Sequence, residues 1–128
     1  MGVIEGYRGD KHYVLVPTEI ARHPEKLFFD FETKYADAPR HSCPGRFSTS
    51  EKAELQKLAK DIHKLLGLRH YSRSEFIVHP TRGIYFLEAD SLPDLHENIS
   101  PFLLSLNAVG GTLPHLIDHV LTLALTRN

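Results

Sequence analysis

Three carboxylates and one arginine recur at a spacing that suits a site for a divalent cation. Arg73 and Glu75 lie two residues apart in one segment, and Glu88 and Asp90 lie two residues apart in the next. Side chains two residues apart in an extended strand share a face of the sheet. Carboxylate oxygens are the ligands that Mg²⁺ prefers, and a single arginine is too little positive charge to offset three acids. The pattern therefore predicts a metal site with Glu75, Glu88 and Asp90 as ligands; a solvated, acid-rich strand face is the alternative.

A predicted β-hairpin must bring these four residues together. Its strands are the segments Tyr71–His79 and Ile84–Asp90, and the residues between them begin with proline and end with glycine, which is typical of a turn. The predicted register starts with His79 opposite Ile84, and the further pairs are Val78 with Tyr85, Phe76 with Leu87, Glu75 with Glu88 and Arg73 with Asp90. Opposed residues have Cβ atoms roughly 5 Å apart, so the two glutamates repel each other unless a cation compensates for their charge.

The composition is that of one globular domain without a charge excess. The chain has 128 residues, of which 41% are hydrophobic and 24% are charged, and its formal net charge is −1. Lysine and arginine form no block, so we predict neither nucleic acid nor a membrane as a partner. No apolar run is long enough to span a bilayer, and the N-terminus lacks the layout of a signal peptide. Cys43 is the single cysteine, which excludes an intrachain disulfide and suits a cytoplasmic location.

The first part of the chain predicts strands followed by a long loop. Gly2–Tyr7 and His12–Ile20 are predicted to form a hairpin around the turn signal Gly9-Asp10, and Leu27–Phe31 is predicted as a short strand. The segment Glu32–Phe47 contains prolines and a glycine and is predicted to be a loop. Loops of that length in compact domains are often functional.

Three helices are predicted in the rest of the chain. The first spans Thr49–Leu66, with Ser48 and Glu51 as a capping box and Gly67 as the C-cap. The second follows Ser100-Pro101 and stops at Gly110-Gly111, and the third follows Thr112. The first and third helices carry apolar stripes at helical spacing: Leu55, Leu58, Ala59, Ile62, Leu65 and Leu66 in one, and Leu113, Leu116, Ile117, Val120, Leu121 and Ala124 in the other. The order of elements predicts an α+β fold with helices packed on a mostly antiparallel sheet.

Two other groups of residues offer metal or nucleophile chemistry. His115 and His119 lie four residues apart on the last helix, as in some zinc sites, but no third ligand is evident, and a solvated helix face is the favoured interpretation. His41 and Cys43 could also bind a metal, and Cys43 could act as a nucleophile. Because no base is evident beside Cys43, packing is the favoured interpretation of this cysteine.

An ordered set of motifs resembles the C-terminal part of the D-alanine–D-alanine ligases, a family of the ATP-grasp superfamily. The matching segments run in family order over nearly the whole chain: Pro17–Ile20, Phe28–Tyr35, Cys43-Pro44, Leu58-Ala59, Tyr71–Phe76 and Leu87–Pro93. The resemblance implies the second half of an ATP-grasp domain. It also implies ATP and Mg²⁺ (or Mn²⁺) as cofactors in the ligation of two amino acids, in which a carboxylate is phosphorylated and then attacked by an amine.

The resemblance also implies roles for individual residues. Glu88 matches a glutamate that bridges two Mg²⁺ ions, and Asp90 and Glu75 fall where the family usually has an asparagine and an aspartate ligand. Arg73 matches the arginine that steadies the transferred phosphoryl group. Two residues of the long loop are implied to bind the nucleotide cofactor. These are Lys34, which matches a lysine near the ATP phosphates, and Tyr35, which matches a tyrosine of the loop that closes over the site.

The chain departs from the family pattern next to the acidic hairpin. Asp94 replaces a glycine whose backbone N–H the family points at an oxyanion, and a carboxylate there would repel the charge to be stabilised. The loop that ends at Ser100 is one residue shorter than in the family, and Ser100 is the only counterpart for a serine that grips the substrate carboxylate. These departures favour a second hypothesis, a non-catalytic domain that keeps the scaffold and binds a partner or a metal.

The resemblance covers one half-domain of a site that lies between two. We expect residues 1–128 to form a single C-terminal ATP-grasp subdomain, with the family's N-terminal and central domains absent. Nucleotide and amino-acid substrates would then bind together with those missing parts, and the isolated chain is expected to be inactive. The apolar helix stripes are expected to form the core and to cover a seam to the missing domains.

Overall fold

An antiparallel sheet with helices on both faces forms the body of the molecule. The computed structural model describes residues 1–21 and 41–127. The strands of the main sheet are β1 (Gly2–Glu5), β2 (His12–Val14), β5 (Tyr71–His79) and β6 (Gly83–Asp90), in the order β2-β1-β5-β6. A separate two-stranded ribbon pairs β3 (Glu19–Ile20) with β4 (His41–Ser42). The helices are α1 (Thr49–Leu65), α2 (Pro101–Ala108) and α3 (Leu113–Thr126). The predicted α+β class is confirmed.

The first hairpin is shorter in the structure than the sequence pattern predicts. A 3-10 turn at Tyr7–Gly9 joins β1 to β2, and β2 ends at Val14 instead of continuing to Ile20. The second half of the predicted strand leaves the main sheet because Pro17 cannot donate a backbone hydrogen bond. Thr18 is instead anchored to α2, with its Oγ1 3.1 Å from the carbonyl oxygen of Pro101.

Different helices pack on the two faces of the main sheet. Ile4 of β1 packs with residues of α2 and α3 in the main core cluster, and Tyr71 of β5 lies against Phe102 with ring centroids 5.7 Å apart. Because side chains alternate along a strand, Val3 and its cross-strand partner Ser72 face the other way. Helix α1 covers that second face, and Nδ1 of its His63 lies within hydrogen-bond distance, 2.7 Å, of Oγ of Ser72. Arg73 lies on the same face of β5 as Tyr71 and therefore on the side of α2 and α3.

The helix ends follow the predicted caps. Ser48 accepts from the Glu51 amide while the Glu51 side chain accepts from the Ser48 amide, so the capping box that begins α1 is confirmed. Gly67 has a φ of 60°, as a left-handed C-cap requires. The side chains of Ser100 and Thr112 cap α2 and α3.

The apolar stripes of the helices are only partly buried. In α1 the buried residues are Leu55, Ala59 and His63, whereas Leu65 and Leu66 are exposed. In α3 only Leu116 is fully buried, although the stripe predicted more core residues. Several other apolar side chains of α3 are exposed: Ile117, Leu121 and Leu125.

Within residues 1–21 and 41–127, no single helix has the length and hydropathy to cross a membrane. Helices α2 and α3 meet that length and composition criterion only as a pair, and they are bent by 97° at the break between them.

Candidate functional site

The hairpin β5–β6 carries the predicted charged residues in the predicted register. Arg73 pairs with Asp90, Ser74 with Ala89 and Glu75 with Glu88. Arg73, Glu75, Glu88 and Asp90 therefore share one face of the sheet. The single-face arrangement, on which the site hypothesis depends, is present.

The register beyond Glu75 differs from the prediction by one residue. Phe76 pairs with Phe86, and His79 pairs with Gly83, because Leu87 is an extra, unpaired residue that forms a bulge in β6. The predicted pairs Phe76–Leu87, Val78–Tyr85 and His79–Ile84 are therefore wrong. The physical reason is the turn, a three-residue loop closed by Gly83 with a φ of 90°, which starts the pairing one residue earlier than expected. The bulge then restores the register where the acids begin.

Arg73 is held between two carboxylates of this face. Its Nη2 lies 2.8 Å from Oε1 of Glu75 and 3.9 Å from Oδ2 of Asp90. Only 15% of the Arg73 side chain is exposed, against 29% for Glu75 and 39% for Asp90. The Nε of Arg73 is buried and has no hydrogen-bond partner among the described residues. A guanidinium that is fixed in this way and retains unused donors is suited to binding an anion such as phosphate.

Glu88 and Asp90 differ in their exposure and in the hydrogen bonds that their carboxylates accept. Glu88 is exposed and opposes Glu75. Asp90 uses its Oδ1 to accept a hydrogen bond from the Leu92 amide at 2.9 Å, which orients the carboxylate at the end of β6. Hard carboxylate oxygens on one exposed face fit Mg²⁺, which is usually held by one or two carboxylates together with phosphate oxygens and water.

His41 of β4 lies close enough to Arg73 to sense its charge. Burial lowers the pKa of the His41 imidazole, and the positive charge of Arg73 lowers it further. His41 and Cys43 are residue types that could also bind a metal. The sulfur of Cys43 lies 3.9 Å from Oγ of Ser105, which is consistent with a packing role for Cys43.

Two predicted site residues, Lys34 and Tyr35, lie outside the residues that the structure describes. The same is true of the predicted strand Leu27–Phe31. Their predicted roles stay predictions.

The loop after the hairpin is organised by its own polar side chains. Oδ1 of Asp94 accepts from the His96 amide at 2.8 Å. Ser100 is 1% exposed, donates to the carbonyl oxygen of Asp94 and accepts from the Leu103 amide at 3.3 Å. Ser100 is therefore engaged as the N-cap of α2 rather than presented to a substrate.

A second cluster of ligating side chains lies at the other end of β1, and sequence reasoning missed it. Glu5, His12 and His63 place one ligand atom each within 4.8 Å of one another. Glu5 pairs directly with His12 across β1 and β2, and His63 reaches them from α1. Burial lowers the pKa of both imidazoles, with the positive charge of Lys64 the next cause for His12, so both rings favour the neutral form. The sequence signal that could have found this cluster is the position of His63. It lies four residues after Ala59 and eight after Leu55, on the buried stripe of α1.

The two histidines of α3 have separate surroundings. Nε2 of His119 lies 2.7 Å from the backbone oxygen of Glu5, and its ring packs edge-on against Tyr7. The interpretation as a solvated helix face therefore holds for the exposed His115. It is wrong for His119, because the hydrogen bond of His119 to the backbone of Glu5 connects α3 to the end of β1.

Comparison with known proteins assigns the chain to a family. A family profile described as "D-ala D-ala ligase C-terminus" matches residues 2–122. A D-alanine–D-alanine ligase of Leptospira interrogans is 34% identical over 130 aligned positions, which cover 99% of this chain and 36% of the relative. A D-alanine–D-alanine ligase of Fervidobacterium nodosum is 34% identical over 77% of this chain and 31% of the relative. The chain thus spans about a third of the length of the curated relatives that it matches.

Solved structures agree with this assignment. The D-alanyl-alanine synthetase A of Vibrio cholerae superposes with a TM-score of 0.78 at 26% identity, covering 98% of this chain and 38% of the synthetase. The D-alanine-D-alanine ligase of Coxiella burnetii superposes with a TM-score of 0.71 at 22% identity, over 98% of this chain and 31% of the ligase. The chain belongs to the D-alanine–D-alanine ligase family, and it corresponds to the C-terminal part of the members of that family.

Proposed function

We propose that this chain is the C-terminal ATP-grasp half of an enzyme that joins two D-alanine molecules with ATP and Mg²⁺. The family assignment supports the reaction class, because the relatives that the chain matches are named for this ligation. The observation that carries the proposal is the charged hairpin face, on which Arg73 lies between Glu75 and Asp90 and beside Glu88. A cytoplasmic location, where ATP is available, is part of the proposal.

Each residue of the hairpin face has a role in this proposal. Glu88 and Asp90 would hold Mg²⁺, and Glu75 would support them by fixing the guanidinium of Arg73. Bound Mg²⁺ would supply positive charge that neutralises phosphate oxygens. Arg73 binds the transferred phosphoryl group through the donors that the two carboxylates leave unused. Because its position is fixed before the phosphate arrives, little reorganisation is needed when negative charge develops.

The rest of the proposed site lies outside the described structure. Lys34 is proposed to contact the nucleotide phosphates, and Tyr35 is proposed to belong to the segment that closes over the site. The nucleotide and the amino acids are proposed to bind between this chain and the other domains of a longer ligase. A D-Ala:D-Ser ligase of Enterococcus faecalis shares this fold, so D-serine is the second substrate to compare with D-alanine.

A chimera tests the proposed function. This chain would replace the matching C-terminal part of the Vibrio cholerae D-alanyl-alanine synthetase A, and phosphate release that depends on D-alanine would be measured. We expect activity in the parent chimera, and a loss of at least about 100-fold in kcat with Glu88→Ala or Arg73→Gln. The exposed Asp118→Ala is the matched control and should leave activity unchanged. A chimera that folds by circular dichroism but stays inactive would contradict the proposal, as would activity that survives Glu88→Ala.

A non-catalytic binding module is the second candidate function. The observations that favour it are an aspartate at position 94, where the family pattern has a glycine, and the use of Ser100 as a buried helix cap. This version predicts that the folded chimera binds Mg²⁺ through Glu88 but releases no phosphate. Restoring glycine with Asp94→Gly would then raise the turnover if Asp94 is the cause.

A further inference from the structure

A trio of ligands lies on the opposite face of the sheet from the charged hairpin residues. Nε2 of His63 lies 3.7 Å from Oε1 of Glu5, and the imidazole rings of His12 and His63 have centroids 5.6 Å apart. Ligand atoms around a tetrahedral zinc ion are about 3.4 Å apart, given metal–ligand bonds of about 2.0–2.1 Å. The spacing of His63 and Glu5 is therefore close to that of a metal site.

His63 is 1% exposed, and its Nε2 has no hydrogen-bond partner among the described residues. Its other ring nitrogen, Nδ1, lies 2.7 Å from Oγ of Ser72. When Nδ1–H donates to Ser72, a lone pair remains on Nε2 on the side of Glu5. A buried polar atom without a partner is costly, and a metal ion would satisfy it.

Glu5 is fixed in a way that leaves one oxygen for a metal. Its Oε2 accepts from the His70 amide at 2.7 Å and from Nη1 of Arg127 at 3.0 Å. These contacts orient the carboxylate, and Oε1 is the oxygen nearest to His63. Outer-shell hydrogen bonds of this kind orient ligands in natural metal sites.

We propose that Glu5, His12 and His63 form a binding site for a divalent transition-metal ion of the zinc class. Two imidazoles and one carboxylate suit Zn²⁺ better than Mg²⁺, which prefers oxygen ligands alone. The ion would join β1, β2 and the last turn of α1, and a water molecule would complete a tetrahedral shell. This site is separate from the proposed Mg²⁺ site, so it does not depend on the proposed ligase activity.

Zinc titration of the chelator-treated 128-residue chain tests the site. We expect one saturable Zn²⁺ site by calorimetry and the intense visible absorption of tetrahedral Co²⁺ when Co²⁺ replaces zinc. His12→Gln and Glu5→Gln should each weaken Zn²⁺ binding at least about tenfold, and Ser72→Ala should weaken it about tenfold through the loss of the outer-shell contact. The exposed His115→Gln is the control and should bind as the parent does.

Two kinds of result would overturn the proposed zinc site. Absence of saturable Zn²⁺ binding, or binding that His12→Gln and Glu5→Gln leave unchanged, would overturn the proposal. Binding that is lost in Glu88→Ala but kept in His12→Gln would place the ion on the hairpin and would also overturn it. Circular dichroism of each variant without metal separates loss of a ligand from loss of the fold, and Co²⁺ absorption of the parent chain tests the site without any substitution.

Discussion

Substitution of Arg73 is expected to lower the free energy of unfolding in a way that Mg²⁺ partly reverses. Its Nη2 lies 2.8 Å from Oε1 of Glu75 and 3.9 Å from Oδ2 of Asp90, and its side chain is more buried than either carboxylate. Arg73→Gln should lower the free energy of unfolding by about 1–2 kcal/mol, because the carboxylates lose their partner in a half-buried setting. Added Mg²⁺ should recover part of that loss by replacing the missing positive charge. Urea unfolding with and without Mg²⁺ measures both effects, with the exposed Arg69→Gln as control; an Arg73→Gln defect that Mg²⁺ does not change would contradict the charge argument.

His41 gives a residue-scale prediction for the effect of pH. Burial first, and then Arg73, lowers its pKa from the ordinary value of 6.5. As pH falls through that value, the unfolded chain binds a proton that the folded chain does not, so stability falls in mild acid until the folded pKa is reached. His41→Gln should therefore flatten the loss of stability between about pH 7 and 5, whereas His115→Gln should not. Chelator in the buffer removes any metal contribution, and equal pH profiles for His41→Gln and the parent would contradict this account.

Sequence reasoning at the residue scale worked for the shared face of the charged residues, because the two-residue period of a strand places Arg73 with Glu75 and Glu88 with Asp90. The predicted cross-strand pairs Arg73–Asp90 and Glu75–Glu88 are present because the bulge at Leu87 offsets the shift that the turn introduces. Sequence reasoning failed for His63, because the place of His63 on the buried stripe of α1 predicts burial but not its contacts with Ser72 of β5 and Glu5 of β1.

The secondary-structure elements follow local chemistry most closely at the helix ends. The cap of α1 uses side chains three residues apart, so Ser48 and Glu51 could be identified without any tertiary information. The β5–β6 register depends on a bulge at Leu87, and the short β2 depends on Thr18 being anchored to α2. Pro17 and Gly83 are visible in the sequence, but the sequence does not show that Thr18 is anchored to α2 or that Leu87 is the bulged residue, which explains why both predictions were wrong in detail.

Helix α3 supplies a prediction at the scale of the element. Leu116 is 0% exposed and Leu125 is 85% exposed, although both belong to the apolar side chains of one helix. Leu116→Ala should cost about 2–5 kcal/mol of unfolding free energy, because it opens a cavity in the core. Leu125→Ala should change it by less than about 0.5 kcal/mol. Urea unfolding compares the pair directly, and equal losses would show that α3 packs differently.

The whole molecule corresponds to about a third of the length of its relatives. It spans 36% of the Leptospira interrogans ligase and 38% of the Vibrio cholerae synthetase. On the proposal that it forms one half of an ATP-grasp site, we expect exposed apolar side chains on α3 and at the β6 bulge to contact the other half: Ile117, Leu121, Leu125, Tyr85, Phe86 and Leu87. Family membership was accessible from the ordered motifs, whereas the second cluster of ligands required the packed structure.

The isolated chain should have no ligase activity of its own. An ATP-grasp site lies between two half-domains, and the described residues, a four-stranded sheet with its helices and a two-stranded ribbon, correspond to one of them. Incubation with ATP, Mg²⁺ and D-alanine should release no phosphate above the blank, with the Vibrio cholerae synthetase as positive control. Phosphate release that depends on D-alanine would show that the chain is sufficient for catalysis.

Paramagnetic broadening by Mn²⁺ tests whether a divalent cation binds the charged face of the hairpin β5–β6. Mn²⁺ substitutes for Mg²⁺ at oxygen-ligand sites and broadens the amide signals of nearby residues. In the 128-residue chain we expect the strongest broadening at Arg73–Glu75 and Glu88–Asp90, and its loss in Glu88→Ala. Broadening that avoids these residues, or that Glu88→Ala leaves unchanged, would contradict the account.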